Sequence, residues 1–412
     1  MSYIQKLFAD RIGGSEFGKG AAIYKFERIR QAKAAAQKLH PDIRLIDLGV
    51  GEPDEMADMG CVETLAREAA KHENRSYSGN GPQDFKDAAV NYLEKVYGIK
   101  GLNPLTEVMH GVGSKIILSM IPLEFINPGE ITLMTVPCYP TLGILTEWYG
   151  GKVHNLPLLK ENGFIPDLDS IPEDVCKKAK LLYINYPNNP TGASATKEFF
   201  ENVVRFAKKN DIVVIHDAAY SSLVFGDERP LAFLSVDGAK DVGIEIFSLS
   251  KAFNMAGWRI AIIAGNELAI KGLAEVKGNC DAGQFIPIQK ASMYAFEHPE
   301  ITQRTSEKYS RRHDLMIEVL KEKGFTVKKP QGSFFLYVQT PIGIKGGRRF
   351  ENAEEFSQFL IMEKLISTVP WDDAGHFVRL SMTYAAGGIQ EEKGIMNEIK
   401  RRLADCEFEF EK

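Results

Sequence analysis

Five short segments of this 412-residue chain hold side chains able to do covalent or acid–base chemistry: residues 136–139 (VPCY), 185–192 (NYPNNPTG), 216–220 (HDAAY), 248–251 (SLSK) and 257–259 (GWR). A lysine amine condenses with aldehydes, a buried carboxylate steadies a neighbouring cation, and arginine holds carboxylate or phosphate with a planar fork of donors. Taken singly, each segment has a plain structural explanation. Asn189-Pro190 makes a turn, Asp217 caps a helix, and Lys251 is a solvated charge. The set is harder to dismiss, because its members come in a fixed order: 28 residues separate Asn189 from Asp217, 3 more reach Tyr220, 31 more reach Lys251, and 8 more reach Arg259.

The elements that must position these groups show in the hydrophobic pattern. Residues 181–185 (LLYIN) are a short apolar run closed by turn residues, which predicts a buried strand. Residues 196–209 place Phe199, Phe200, Val203, Val204, Phe206 and Ala207 on one helical face. Asn210-Asp211 breaks that helix, and residues 212–215 (IVVI) predict a second strand. A strand, an amphipathic helix and a strand make a βαβ unit, with parallel strands and a right-handed crossover. Further apolar runs at 131–136, 244–249 and 260–264 complete a mostly parallel central sheet flanked by helices. Ligands bind beyond strand ends in such sheets, and the five segments are expected just after strands.

The chain ends have a different character. Residues 24–39 are alanine-rich and helical, stopping before Pro41. From about residue 290 the chain turns to long charged helices with a strand-like stretch at 333–338. The expected division is an N-terminal arm and part of a small domain at 1–60, a large domain at 61–289, and a C-terminal small α+β domain at 290–412. The charged tail, residues 407–412, is expected to fray.

Composition removes several classes. With 50 basic and 55 acidic residues the net charge is −5, and no basic face announces a nucleic-acid partner. Apolar runs such as 116–123 fall far short of the ~20 residues that a membrane helix needs, and the first residues lack a signal-peptide run. Five cysteines without a CxxC pair fit a reducing, cytoplasmic setting. No histidine pair has HxxxH spacing, so no metal centre is expected. Residues 14–19 (GSEFGK) miss the phosphate-loop spacing. Gly49-Val50-Gly51 and Gly111-Val112-Gly113 lack the third glycine of a dinucleotide fingerprint, and both are expected as tight turns.

The combination NNPTG, D-x-x-Y, S-x-S-K and a downstream GWR resembles the class I and II aminotransferases of the fold-type-I pyridoxal-phosphate (PLP) family. The similarity runs from residues 48–53 (LGVGEP) to 377–381 (FVRLS). It implies that fold, an α/β large domain plus a smaller α+β domain, and PLP as cofactor. It also implies ping-pong transfer of an amino group between an amino acid and 2-oxoglutarate, in a homodimer with shared active sites.

Residue by residue, the resemblance makes Lys251 the amine that bonds the cofactor aldehyde and then moves the proton between substrate Cα and cofactor C4′. Asp217 would hold the pyridine nitrogen, Asn189 and Tyr220 the phenolic oxygen, and Tyr139 the ring face. Ser248, Ser250 and Arg259, with the backbone of Ser114 and Lys115, would hold the phosphate. Tyr77 would reach the phosphate of a neighbouring subunit. Arg379 would take the substrate α-carboxylate, with Gly51, Asn189 and Lys115 beside it. Residues 156–169, 180–190 and the turn Gly113-Ser114-Lys115 look closest to the LL-diaminopimelate branch of the family, where Tyr24 would lie over the substrate. That branch belongs to lysine biosynthesis. Aspartate, alanine or aromatic aminotransferases, or a carbon–sulfur lyase, are the alternatives.

Overall fold

A computed structural model describes residues 3–19, 25–226 and 229–411. A short first strand, β1 (Ile46–Asp47), precedes the strands of a central sheet: β2 (Val108–Gly111), β3 (Ile131–Val136), β4 (Lys152–Pro157), β5 (Ala179–Ile184), β6 (Val213–Asp217), β7 (Gly243–Ser248) and β8 (Ala261–Gly265). Across the sheet they lie in the order β2-β8-β7-β6-β5-β3-β4. Strands β3 to β7 are mutually parallel, and β8 runs antiparallel to both of its neighbours, β7 and β2. The expected mostly parallel sheet is therefore present.

Both faces of this sheet are covered, and the side chains alternate accordingly. Leu182 and Ile184 of β5, Val214 of β6 and Ile262 of β8 pack in one cluster with Phe85, Leu93, Phe199 and Phe200. Their chain neighbours Leu181, Tyr183, Ile215 and Ile263 pack in the other with Ile117, Leu118, Ile270 and Leu273. The helix Lys197–Asn210 joins β5 to β6. Thr196 opens it, its hydroxyl accepting from the Phe199 amide at 3.1 Å, and Asp211 closes it in a left-handed conformation. Helix Ile286–Glu297 packs on helices Met59–Ala69 and Gln83–Tyr97.

The later strands are β9 (Phe335–Gln339), β10 (Gly343–Ile344), β11 (Ile366–Ser367), β12 (Val369–Trp371), β13 (Phe377–Ser381) and β14 (Phe408–Glu409). Strands β12, β13 and β9 form an antiparallel sheet in that order, and β1 pairs in parallel with β11. Helix Lys25–Leu39 packs on helix Ala353–Lys364. The N-terminal segment is thus built into the C-terminal third.

Two expectations need correcting. The tail does not fray: β14 pairs with β10, and Phe408 and Phe410 set their rings edge-on against Phe325. The charges that marked the tail as solvated alternate with aromatic residues that are partly buried. Nor does every chemical segment follow a strand, because residues 257–259 precede β8. Since β8 is antiparallel, its amino end lies at the same sheet edge as the carboxyl ends of β3, β5, β6, β7 and β2. Among the described residues, no helix is long and apolar enough to cross a membrane.

A buried arginine ties the distant parts together. Arg312, in helix Glu300–Glu322, is fully buried. It contacts Glu392 at 2.8 Å and Asp54 at 3.0 Å, and donates to the Met382 and Tyr384 carbonyls at 2.9 and 3.0 Å. Removing it takes one buried cation from two buried carboxylates, leaving Glu392 to Arg311 and Asp54 to Lys308, and takes the donor from the Met382 and Tyr384 carbonyls. Arg312→Ala is expected to destabilise the fold by about 3–5 kcal/mol, read as a lowered urea midpoint. An unchanged midpoint would refute this role.

Candidate active site

The sheet edge just described is where the sequence-predicted residues meet. Gly51, Ser114, Lys115, Tyr139, Asn189, Asp217, Tyr220, Ser248, Ser250, Lys251, Arg259 and Arg379 all line one cavity of about 300 Å³. Tyr77 stands apart, its side chain 89% exposed. Tyr24 lies outside the described residues.

Each strand delivers its group through local geometry. Asp217 is the last residue of β6, and alternation turns its side chain toward Tyr183, whose hydroxyl donates to Oδ2 at 3.1 Å. The other carboxylate oxygen, Oδ1, is buried and has no hydrogen-bond partner among the described residues. Burial pushes the Asp217 carboxyl up to about 6, against the opposing pull of Tyr183 and His216. Lys251 follows β7 on a short helical turn capped by Ser248. Its Nζ donates to the Gly51 carbonyl at 2.6 Å. Burial lowers the Lys251 amine to about 8, helped by Arg379 and Arg259 and resisted by Glu52.

A second group of donors gathers where an anion would sit. Helix Ser114–Phe125 begins at the cavity, so its free amides and positive dipole end face it. The buried Ser114 hydroxyl has no partner among the described residues. Gly113 makes the expected turn with φ +75°, and a Cβ there would strike the Arg259 guanidinium at 2.2 Å. That close approach is what brings Arg259 beside Ser250, 3.4 Å away. Arg259 itself has φ 57°, and Gln284 holds its carbonyl and that of Trp258.

Arg379 comes from β13 and is buried, which lowers its guanidinium to about 10 and leaves it charged at neutral pH. It stacks 4.1 Å from the Phe335 ring centroid, donating to Asn189 Oδ1 at 2.9 Å and to the Gly49 carbonyl at 3.1 Å. Its Nε has no partner among the described residues. Asn189 in turn donates its amide to Asn185 Oδ1 at 2.8 Å, and the Asn185 amide holds the Asp217 carbonyl at 2.6 Å. A continuous hydrogen-bonded chain therefore links the candidate carboxylate reader to the candidate ring anchor. Sequence reasoning passed over Asn185, Phe335, Trp371 and Gln284. Only Asn185 carried a signal, as the polar residue ending the β5 apolar run.

The Tyr77 loop is pinned from below although its ring is in solvent. Ser78 bonds the backbone of Gln284 in both directions, at 2.8 and 2.9 Å. The buried Lys277 donates to the Gly79 carbonyl at 3.0 Å.

These residues fit PLP. The unpaired Asp217 oxygen suits a protonated ring nitrogen, the unpaired Ser114 hydroxyl and helix amides suit a phosphate, and an amine with lowered pKa lines the same cavity. Comparison with known proteins points the same way. A family model described as aminotransferase class I and II matches residues 43–392. The LL-diaminopimelate aminotransferase of Methanococcus maripaludis is 59% identical over the whole of both chains, and that of Methanocaldococcus jannaschii is 57% identical over the same extent. Among solved structures, substrate-bound BacF from Bacillus subtilis has a TM-score of 0.86 at 32% identity, covering 97% of this chain and 99% of that one.

Two outcomes follow from the titrations. With its carboxyl raised from 3.8 to about 6, folded cofactor-free protein holds a proton that the unfolded chain releases. The stability this group lends is complete below pH 3.8 and lost as pH rises through about 6. At neutral pH the charged form costs on the order of 3 kcal/mol. Asp217→Asn should therefore raise the melting temperature of cofactor-free protein at pH 7 while abolishing activity; a lower melting temperature would contradict this. For Lys251, PLP capture by cofactor-free protein should rise with pH and reach half its maximal rate near pH 8, followed by absorbance after mixing. A half-maximum near the ordinary lysine value of 10.5 would show that the site does not perturb this amine.

Proposed function

The chain belongs to the class I and II aminotransferases, and we propose that it moves an amino group between LL-diaminopimelate and 2-oxoglutarate, in lysine biosynthesis. Full-length identity of 57–59% to two LL-diaminopimelate aminotransferases carries the choice of substrate. The enzyme is PLP-dependent, as its class is. When bound, PLP supplies the electron sink that makes the substrate Cα proton acidic.

Everything else falls to the side chains. Lys251 would hold the cofactor at its aldehyde carbon, and its amine would move the proton at the substrate Cα. Asp217 keeps the ring nitrogen protonated through its unpaired Oδ1. Asn189 and Tyr220 hold the phenolic oxygen, and Tyr139 covers the ring. Ser248, Ser250, Arg259 and the amides of Ser114 and Lys115 hold the phosphate. Arg379 grips the α-carboxylate through the donor edge that includes its unpartnered Nε. Gly51, whose carbonyl engages Lys251 in the resting site, borders the same substrate.

The working unit in this reading is a cytoplasmic homodimer. The observation favouring it is Tyr77, a large aromatic held out in solvent by a loop that is itself firmly bonded, poised to complete a neighbour's phosphate site.

Steady-state assays with LL-diaminopimelate, aspartate, alanine and phenylalanine test the reading. Diaminopimelate should have the highest kcat/KM, and Lys251→Ala should lose at least ~10²–10⁴-fold in kcat. Failure to turn over diaminopimelate would remove the substrate assignment. Full activity in Lys251→Ala would remove the mechanism.

A further inference from the structure

Arg259 lines the active-site cavity and Gln284 does not, yet the placing of the one depends on the other. We propose that Gln284 is a positioning residue for the cofactor phosphate, its side chain holding Arg259 in its own site and its backbone holding the Tyr77 loop that serves the neighbour's. The proposal rests on the PLP reading above and deepens it.

The backbone of Arg259 is the first support. It stands between the turn Ala256–Trp258 and β8 with φ 57°, a left-handed conformation that a residue with a Cβ keeps only where its surroundings enforce it. In extended backbone successive carbonyls face opposite sides, whereas the left-handed turn at 259 brings those of Trp258 and Arg259 to one side. There a single amide nitrogen, Gln284 Nε2, donates to them at 2.7 and 2.5 Å. Gln284 Oε1 is buried without a partner among the described residues, so the side chain's hydrogen bonding goes to this joint. The guanidinium beyond the joint is closely seated. It fills space that a Cβ on Gly113 would take, and it reaches Ser250 at 3.4 Å. With both bonds lost, the backbone at 259 is free to relax, and the guanidinium moves with it.

The backbone of Gln284 is the second. Ser78 Oγ donates to its carbonyl at 2.8 Å and accepts from its amide at 2.9 Å, and the Gly79 amide donates to the Ala282 carbonyl at 3.3 Å. Gln289 Nε2 braces the same contact, donating to Ser78 Oγ at 2.9 Å and to the Gln284 carbonyl at 3.1 Å. Gly283 has φ +93°, and a Cβ there would lie 2.4 Å from Ser78 Oγ and 2.6 Å from the Gly79 nitrogen. The two segments are therefore pressed together with no room for a side chain between them. Tyr77 precedes the serine that Gln284 holds, and Arg259 carries a carbonyl that Gln284 holds. One residue thus stands behind a phosphate donor of its own site and a phosphate donor offered to the neighbour's.

A ligand without the phosphate separates this role from general support of the fold. Full-length cofactor-free protein is titrated with PLP and with pyridoxal, which has the same ring and aldehyde but no phosphate, and binding is followed by cofactor absorbance. Gln284→Met keeps the length of the side chain and removes its donor. It should lose about ten- to hundredfold in affinity for PLP and stay within about twofold of wild type for pyridoxal. Ser78→Ala leaves the Gln284 amide in place but loosens the Tyr77 loop, and should lose about three- to tenfold for PLP with pyridoxal unchanged. Equal losses for both ligands in Gln284→Met, or an unchanged PLP affinity, would overturn the proposal. A wild-type ratio of the two affinities in Ser78→Ala would overturn the link to the neighbouring site, and this arm stands even if Gln284→Met fails to fold. Wild-type protein that captures neither ligand would instead overturn the PLP reading, and the positioning role with it.

Discussion

A carboxylate buried with one oxygen unsatisfied is an expensive thing to build, and the site is organised around one. Asp217 is 3% exposed, with the Tyr183 hydroxyl donating to Oδ2 and Oδ1 left without a hydrogen-bond partner among the described residues. Burial disfavours the ionised form in the resting protein, and a positively charged ring nitrogen is the group that would restore it. The instability is therefore what gives the pocket its preference. A site that satisfied both Asp217 oxygens internally would be more stable and would have nothing to offer a cation. Lys251 is the mirror case: burial beside two arginines lowers its amine to about 8, so the neutral form that reacts is more accessible than in an ordinary lysine.

The sheet makes this juxtaposition possible by reversing twice. Were β8 parallel to β7, Arg259 would enter at the opposite edge, a strand's length from Ser250. The antiparallel β8 brings its amino end to the working edge, and a second reversal brings the carboxyl end of β2 there too. The helix that follows β2 can then point its amino terminus at the cavity. Four positive side chains, Lys115, Lys251, Arg259 and Arg379, converge with those helix amides around a single buried carboxylate. The −5 net charge of the chain conceals this local excess.

How legible this was in the sequence depended on burial. Strands β5 and β6 and the helix between them announce themselves, because both sheet faces are covered and nearly every strand residue is apolar. Strand β4, with the sequence KVHNLP, sits at the sheet edge where only Leu156 is buried, and it carries no such pattern. Strand β2 is four residues long, too short for periodicity to speak. In the site, groups at strand ends could be picked out by spacing. Phe335 and Trp371 could not, because an aromatic residue in a strand looks the same whether it faces a core or a ligand. The tail misled for a related reason: its acidic residues mask a Phe-x-Phe alternation that pairs as a strand.

The bonds of Arg379 have an implication for genetics. The guanidinium that would receive substrate is also a strut, joining β13 to Asn189 past the end of β5 and to Gly49 beyond β1. Recognition and architecture share one side chain, and an inherited or engineered change there would surface as two phenotypes at once. Cells carrying it would show both reduced enzyme abundance, as the loosened chain is cleared, and raised substrate requirement in what survives. Growth rescued by supplying the pathway's end product, but not by overproducing the enzyme, would mark such an allele.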